Sequence, residues 1–278
     1  TLNSRQREAY FSIMEKPLTI VTGAPGTGKT FLMEAVLYAM KANNITEDEI
    51  ICCAPFGRAA TSFREKTGFP ASTIHSAFGI GIPEFFREAK IEKAAGLELL
   101  AVDELSTCGV WLFSELLKTV NEDARIVLIG DPNRLLPVDE GNPLIDLIES
   151  KCVPVVELTE IRRQKKNSEI IKAIQRINEG KMPELTTDPD SDFIFIKNTV
   201  PEKIAETIEL LISERIPQKY NADPRCDIQI RSPDSKGKTV PIYLNQRVKQ
   251  KLRQSSYTES EIEEFGNAKF IPGDKVLQ

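Results

Sequence analysis

Residues 23–30 read Gly23-Ala24-Pro25-Gly26-Thr27-Gly28-Lys29-Thr30, the pattern G-x-x-x-x-G-K-T. In such a loop the glycines let the backbone turn tightly, so that successive N–H groups point at an anion. The run before it, Leu18-Thr-Ile-Val-Thr22, is short, apolar and β-branched, and reads as a buried strand. The run after it, from Phe31 to Met40, has helical spacing and good helix formers. A glycine-rich turn before any helix shares this composition. Strand, loop and helix in this order are the context that a phosphate loop requires. The helix N-terminus adds a partial positive charge. Lys29 is then placed to reach the β- and γ-phosphates of a nucleotide, and the Thr30 hydroxyl to hold Mg²⁺. Gly23, Ala24, Pro25, Gly26, Thr27 and Gly28 supply the cradle.

Outward from this loop, strands and helices alternate. Residues 3–14 read as a helix with Asn3 or Ser4 as its cap. Further short apolar runs lie at 50–54, 97–102, 125–129 and 153–158, with helical stretches near 57–66, 109–120 and 142–150 between them. This alternation predicts an α/β fold, a parallel sheet covered by helices on both faces. Beyond about residue 165 the texture changes. Helices are expected at about 167–179, 201–214 and 241–254, with strands at Phe193-Ile-Phe-Ile196 and Asp227-Ile-Gln-Ile230. A domain boundary is expected near 160–166, and no internal repeat is visible.

Two more strands end in acids. Leu99-Leu-Ala-Val-Asp103-Glu104 is an apolar run closed by two carboxylates. A phosphoryl-transfer site needs one carboxylate toward the metal and one toward the attacking water, which suits Asp103 and Glu104 respectively. A strand followed by Asp-Glu is common by itself; its force comes from the phosphate loop upstream. Ile126-Val-Leu-Ile-Gly130-Asp131 delivers a further acid. Open α/β sheets bind ligands at the carboxyl ends of their strands. Three such ends converging on one crevice predict a nucleoside-triphosphate hydrolase.

Composition narrows the class. The chain has 278 residues, 41% hydrophobic and 28% charged, with a net charge of −5. That size suits about two globular domains. The acidic balance excludes an overall basic nucleic-acid binder but leaves room for a local basic track. No apolar run is long enough to cross a membrane, so no membrane partner is expected. The polar start, Thr1-Leu-Asn-Ser-Arg-Gln6, carries no signal peptide and looks cut from something longer. Five cysteines without any C-x-x-C, and a single histidine, argue against zinc. Reduced thiols in a cytoplasmic protein are the plain reading.

In order along the chain, several segments resemble the RecD-like helicases of superfamily 1B. Leu2-Asn-Ser-Arg-Gln6 is similar to the family's adenine-reading Gln motif. Ala54-Pro-Phe-Gly-Arg-Ala-Ala60 resembles A-P-T-G-R-A-A, and Ala71-Ser-Thr-Ile-His75 resembles S-T-I-H; both belong to the family's single-strand track. Asp103-Glu-Leu-Ser106 resembles D-E-A-S, and Leu158-Thr-Glu-Ile-Arg-Arg-Gln164 a segment ending F-R-Q. Ile177-Asn-Glu-Gly-Lys-Met-Pro183 and Phe270-Ile-Pro-Gly-Asp-Lys-Val-Leu-Gln278 resemble stretches of the second motor domain. Each string is weak alone; their shared order is not.

The resemblance implies a RecA-like domain over 1–164, with a short insert at 78–96, and part of a second RecA-like domain over 165–278. It implies an ATP- and Mg²⁺-dependent motor moving 5′ to 3′ on single-stranded DNA, with possible partners in a repair or recombination complex. Gln6 corresponds to the adenine reader. Asp131 and Arg134 correspond to nucleotide contacts, and Arg163 to a finger that reaches the γ-phosphate from the second domain. Pro55, Phe56, Arg58, Thr73 and His75 correspond to the DNA track; the plainer alternatives are packing for Phe56, a surface charge for Arg58 and a core position for His75.

The chain departs from the family's G-D-x-x-Q-L-P-x-V, with Arg134 in place of Gln and Leu136 in place of Pro. An amide donates and accepts, whereas a guanidinium only donates. Phe56 stands where the family has Thr, exchanging a hydroxyl for a face on which a base can stack. The insert, where the family carries a strand-separating hairpin, is short, and Glu84-Phe-Phe-Arg-Glu-Ala-Lys-Ile-Glu-Lys93 reads partly helical, so a conventional pin is left open. The chain also stops where the family continues into later motifs, which is expected either of a fragment or of a chain whose remainder is not represented. Three readings stay open: a translocating helicase, a DNA-stimulated ATPase subunit that does not unwind, and a nucleotide-binding switch.

Overall fold

The computed structural model describes residues 1–81, 83, 87, 90, 94–160, 168–233, 236–252, 263–265 and 268–270. The chain divides into two compact units, Thr1–Glu184 and Leu185–Gln278. The expected boundary was drawn earlier, at 164/165.

The first unit is built on six strands, β1 (Leu18–Gly23), β2 (Ile50–Ala54), β3 (Ala71–Thr73), β4 (Leu99–Val102), β5 (Arg125–Gly130) and β6 (Val155–Leu158). They form one sheet in the order β3-β2-β4-β5-β1-β6. Every pairing is parallel. This is the parallel sheet that the alternation predicts, in the RecA-like form that the resemblance implies. The four inner strands, β2, β4, β5 and β1, are largely buried on both faces because helices cover both. On one face Val21, Cys52, Leu99, Ala101, Val127 and Ile129 pack under α1 (Ser4–Glu15), α2 (Lys29–Ala42) and α3 (Gly57–Thr67). On the other, Ile20, Cys53, Leu100, Val102 and Leu128 pack under α4 (Ile74–Phe78), α5 (Val110–Leu117) and α6 (Pro143–Ser150). Burying one such side chain contributes about 1.5–3 kcal/mol. Helix α7 (Glu169–Asn178) closes the unit's ordered elements.

Helix α1 starts where its cap dictates. The Asn3 carboxamide accepts from Gln6 N–H at 2.8 Å, and the Gln6 side chain accepts from Asn3 N–H at 3.1 Å. This reciprocal capping satisfies two donors that a helix start otherwise leaves orphaned. It also fixes Gln6, fully buried, beneath the phosphate loop.

In the second unit, α8 (Pro201–Leu210) runs through a π-turn, Leu211–Arg215, into α9 (Ile216–Tyr220). Pro217 explains the widened turn, since its ring clashes with the carbonyl four residues back. Helix α10 (Pro241–Leu252) is tied to α8 by Arg247, whose Nε lies 2.8 Å from Glu209 Oε2. Strands β7 (Glu263–Phe265) and β8 (Ala268–Phe270) pair antiparallel.

The strands expected at 193–196 and 227–230 do not form. Apolar alternation makes a strand only when a neighbour completes its ladder. Ile194, Phe195 and Ile196 are exposed instead. Asp227 is held in a turn, its N–H donating to Asp223 O at 2.8 Å while its carboxylate accepts from Asp223 N–H.

Candidate nucleotide and single-strand site

The register brings the three anticipated strand ends together. β5 lies between β4 and β1, with Val102 opposite Leu128 and Thr22 opposite Gly130. The phosphate loop after β1, Asp103-Glu104 after β4 and Asp131 after β5 therefore share one carboxyl edge of the sheet. This is where such sheets place ligands.

The loop's shape depends on glycine at two positions. At Gly23, with φ +150°, a Cβ would lie 2.6 Å from the Leu158 carbonyl oxygen and 2.7 Å from Thr27 Oγ1. At Gly28, the left-handed N-cap of α2, it would lie 2.4 Å from Gln6 Nε2. No side chain caps α2, so its first N–H groups face the loop's concavity. Thr27 is buried and closes the loop on itself, its hydroxyl donating to Ala24 O at 2.8 Å. Pro25 is exposed at the rim, while Ala24 and Gly26 are half-buried.

Lys29 bends back over this cradle. Its Nζ donates to the Gly23 carbonyl and, at 3.2 Å, to the Ala24 carbonyl. Burial lowers its pKa, which Asp131, Glu104 and Asp103 counter and Arg134 reinforces. A phosphate entering the cradle offers the ammonium a full charge in place of two carbonyl dipoles.

Asp103 is partly buried, and burial together with the neighbouring Glu104 pushes its carboxyl up to about 6. Its Oδ1 accepts from Glu104 N–H at 2.9 Å. A carboxylate so disfavoured welcomes a divalent cation, so the residues present fit Mg²⁺. No cluster of three or more His, Cys, Asp or Glu side chains that could hold a metal occurs among the described residues. Thr30 follows the phosphate loop and Asp103 follows β4, so the two would add only a hydroxyl and a carboxylate to phosphate oxygens, the sparse kind of ligand set that Mg²⁺ takes.

Glu104 itself adopts the left-handed conformation, φ +57°. Its Oε2 is ion-paired with Arg134 Nη1. Arg134 follows Asp131 in a tight turn: its N–H donates to Asp131 O at 3.2 Å, and its Nε lies 4.0 Å from Asp131 Oδ2. Asp131 is buried and also accepts from Asn133 N–H at 3.1 Å.

The Gln6 amide is engaged within the chain. Its Nε2 donates to the carbonyls of Thr27 and Gly28, both at 3.4 Å, and its Oε1 serves the α1 cap. The amide braces the loop from below.

Two and three strands from β5, at the same edge, lie the anticipated track residues. Ala54 at the end of β2 is in register with Thr73 at the end of β3. Phe56 is 54% exposed at the N-cap of α3, Arg58 is exposed in the first turn of that helix, and His75 is exposed on α4, so His75 is not a core residue. Thr73 caps α4 by accepting from Ser76 N–H at 3.1 Å. Pro55 is buried and offers no surface to a strand. Arg163, like Arg162, lies outside the described residues.

Two features escaped sequence reading. Lys66 of α3 adds positive charge near Asp103, distant in sequence and without a motif. Ser106, in the Asp-Glu-Leu-Ser motif, is buried with its hydroxyl lacking a hydrogen-bond partner among the described residues.

Comparison with known proteins agrees with this architecture. The family model described as an AAA domain matches residues 1–198. The ATP-dependent RecD2 DNA helicase of Deinococcus radiodurans is 37% identical over 182 residues, 66% of this chain and 24% of that protein. The RecBCD enzyme subunit RecD of Mycolicibacterium smegmatis is 32% identical over 167 residues, 52% of this chain and 30% of that subunit. Among solved structures, the Pif1 helicase from Candida albicans shares the fold with a TM-score of 0.54 at 20% identity, covering 66% of this chain and 45% of that one. The chain thus spans from about a quarter to under half the length of these proteins. With the family match over residues 1–198 and a six-stranded parallel sheet presenting the phosphate loop, the chain belongs to the AAA-domain family and is similar over that region to RecD-type helicases.

Proposed function

We propose that this chain carries the ATP-hydrolysing motor of a DNA helicase that moves 5′ to 3′ on single-stranded DNA. The observation that carries this reading is one sheet edge shared by two sets of residues. Lys29, Asp103, Glu104 and Asp131 follow β1, β4 and β5, while Phe56, Arg58, Thr73 and His75 follow β2 and β3. A nucleotide and a strand bound along that edge lie close enough for one to alter the other.

In this reading the loop N–H groups and Lys29 hold the triphosphate, and Thr30 and Asp103 hold Mg²⁺. Mg²⁺ held there would supply positive charge to offset that of the phosphates. Glu104 accepts the proton of the attacking water. Arg163 supplies transition-state charge from beyond the described residues. Phe56 stacks a base, and Arg58 meets the backbone. Residues 165–278 are read as part of a second RecA-like domain. The RecD relative's name ties that subunit to a RecBCD enzyme, which motivates a repair or recombination complex as the setting. All five cysteines are free, which suits a reducing cytoplasm.

The test is ATP turnover with and without oligo-dT, followed by displacement of a 5′-tailed and a 3′-tailed duplex. Oligo-dT should raise turnover, and only the 5′-tailed duplex should open. DNA-independent turnover overturns the reading in favour of a nucleotide switch. Stimulated turnover without displacement leaves an ATPase subunit that does not unwind.

A further inference from the structure

Glu104 and Arg134 stand thirty positions apart and belong to different strand ends, yet they share an ion pair. Arg134 also leans toward buried Asp131, 4.0 Å from Nε to Oδ2. Its guanidinium contributes to the field at Lys29, the residue that meets the β- and γ-phosphates. So the group placed to polarise water is paired with a cation that also acts on Lys29, the residue placed to meet the phosphates. An amide here can share its donor and acceptor among several partners; a guanidinium can only donate, and it satisfies the strongest anion nearby.

We infer that Arg134 is a positioning residue that exchanges between Glu104 and the γ-phosphate, so that the Glu104 carboxylate stands in for that phosphate until a triphosphate arrives. This rests on the nucleotide site proposed above and adds its selectivity. A γ-phosphate carries more charge than a carboxylate and takes the guanidinium. The exchange frees Glu104 to face water at the moment when there is a bond to hydrolyse. A diphosphate has no γ-phosphate and leaves the pair closed. Arg134 therefore favours triphosphate over diphosphate, while Glu104 competes against it.

A double-mutant cycle on nucleotide affinity tests the exchange without relying on turnover. The dissociation constants of ATP–Mg²⁺ and ADP–Mg²⁺ are measured for the wild-type chain, Glu104→Gln, Arg134→Gln and the double variant. Glu104→Gln releases the guanidinium and should tighten ATP by about 3- to 10-fold, with ADP unchanged. Arg134→Gln should weaken ATP and spare ADP. In the Arg134→Gln background, Glu104→Gln should no longer tighten ATP. Unchanged ADP affinity also reports that each variant keeps a folded loop. If Glu104→Gln tightens ATP equally with and without Arg134, or tightens ADP as much as ATP, the exchange is overturned and the nucleotide site stands. If the wild-type chain binds neither nucleotide in a Lys29-dependent way, both fall.

Discussion

Replacing Asp103 by Asn should stabilise the fold in the absence of nucleotide while crippling metal binding. Asp103 is partly buried beside Glu104, and its carboxyl is pushed up to about 6 from an ordinary value of 3.8. In the unfolded chain it ionises near 3.8. Between those two values the native state therefore holds a proton that the unfolded state has lost, and stability falls as pH rises through that window. Above about 6 the full penalty applies. Each pKa unit is worth about 1.4 kcal/mol, so the penalty is about 1–3 kcal/mol once screening at the open edge is allowed for. Asn keeps the Oδ1 that accepts from Glu104 N–H at 2.9 Å and loses only the charge. Thermal unfolding without Mg²⁺ from below about pH 4 to about pH 8 measures the effect. For a unit of this size, about 2–4 °C per kcal/mol is expected. The gain of Asp103→Asn should be absent near pH 4, grow between 4 and 6, and stay level above 6. Mg²⁺–ATP should then stabilise the wild-type chain more than the variant. A variant equal to or less stable than wild type at pH 7.5, or a gain that does not depend on pH, refutes the reasoning.

Lys29→Ala should abolish turnover and weaken ATP binding, because the phosphates lose the cation that now rests on the Gly23 and Ala24 carbonyls; equilibrium binding and phosphate release measure both. Gln6→Ala should weaken ATP and GTP alike, by about 1 kcal/mol, because its amide braces the loop. A loss confined to ATP would make Gln6 a base reader. Phe56→Ala should weaken oligo-dT binding by about 1–3 kcal/mol in fluorescence anisotropy, the worth of one stacked base; unchanged affinity would assign Phe56 to packing.

The parts of this architecture that a chain encodes locally were legible in the sequence. A phosphate loop demands glycine at particular backbone positions, and an apolar strand ending in an acid announces an edge. So the loop, Asp103-Glu104 and Asp131 were readable before any coordinates. β3 was not, because Ala71–Thr73 is three small half-buried residues with no apolar run. Phe193–Ile196 failed in the opposite direction: its pattern suits a strand, but pairing depends on a partner that local pattern does not specify. Long-range contacts were invisible for the same reason. Nothing near Arg134 says that it meets Glu104, and nothing near Gln6 says that its amide ends under Thr27 and Gly28. The direction of His75, exposed rather than in the core, likewise depended on the tertiary fold.

Steady-state ATP turnover by the wild-type chain and by Glu104→Gln, each with and without oligo-dT, tests the central claim most directly. The account predicts that oligo-dT raises wild-type turnover. It also predicts that Glu104→Gln lowers stimulated turnover by about 100-fold or more, the usual contribution of a positioned general base, while ATP still binds. Wild-type turnover indifferent to oligo-dT, or a Glu104→Gln variant as active as wild type, would contradict it.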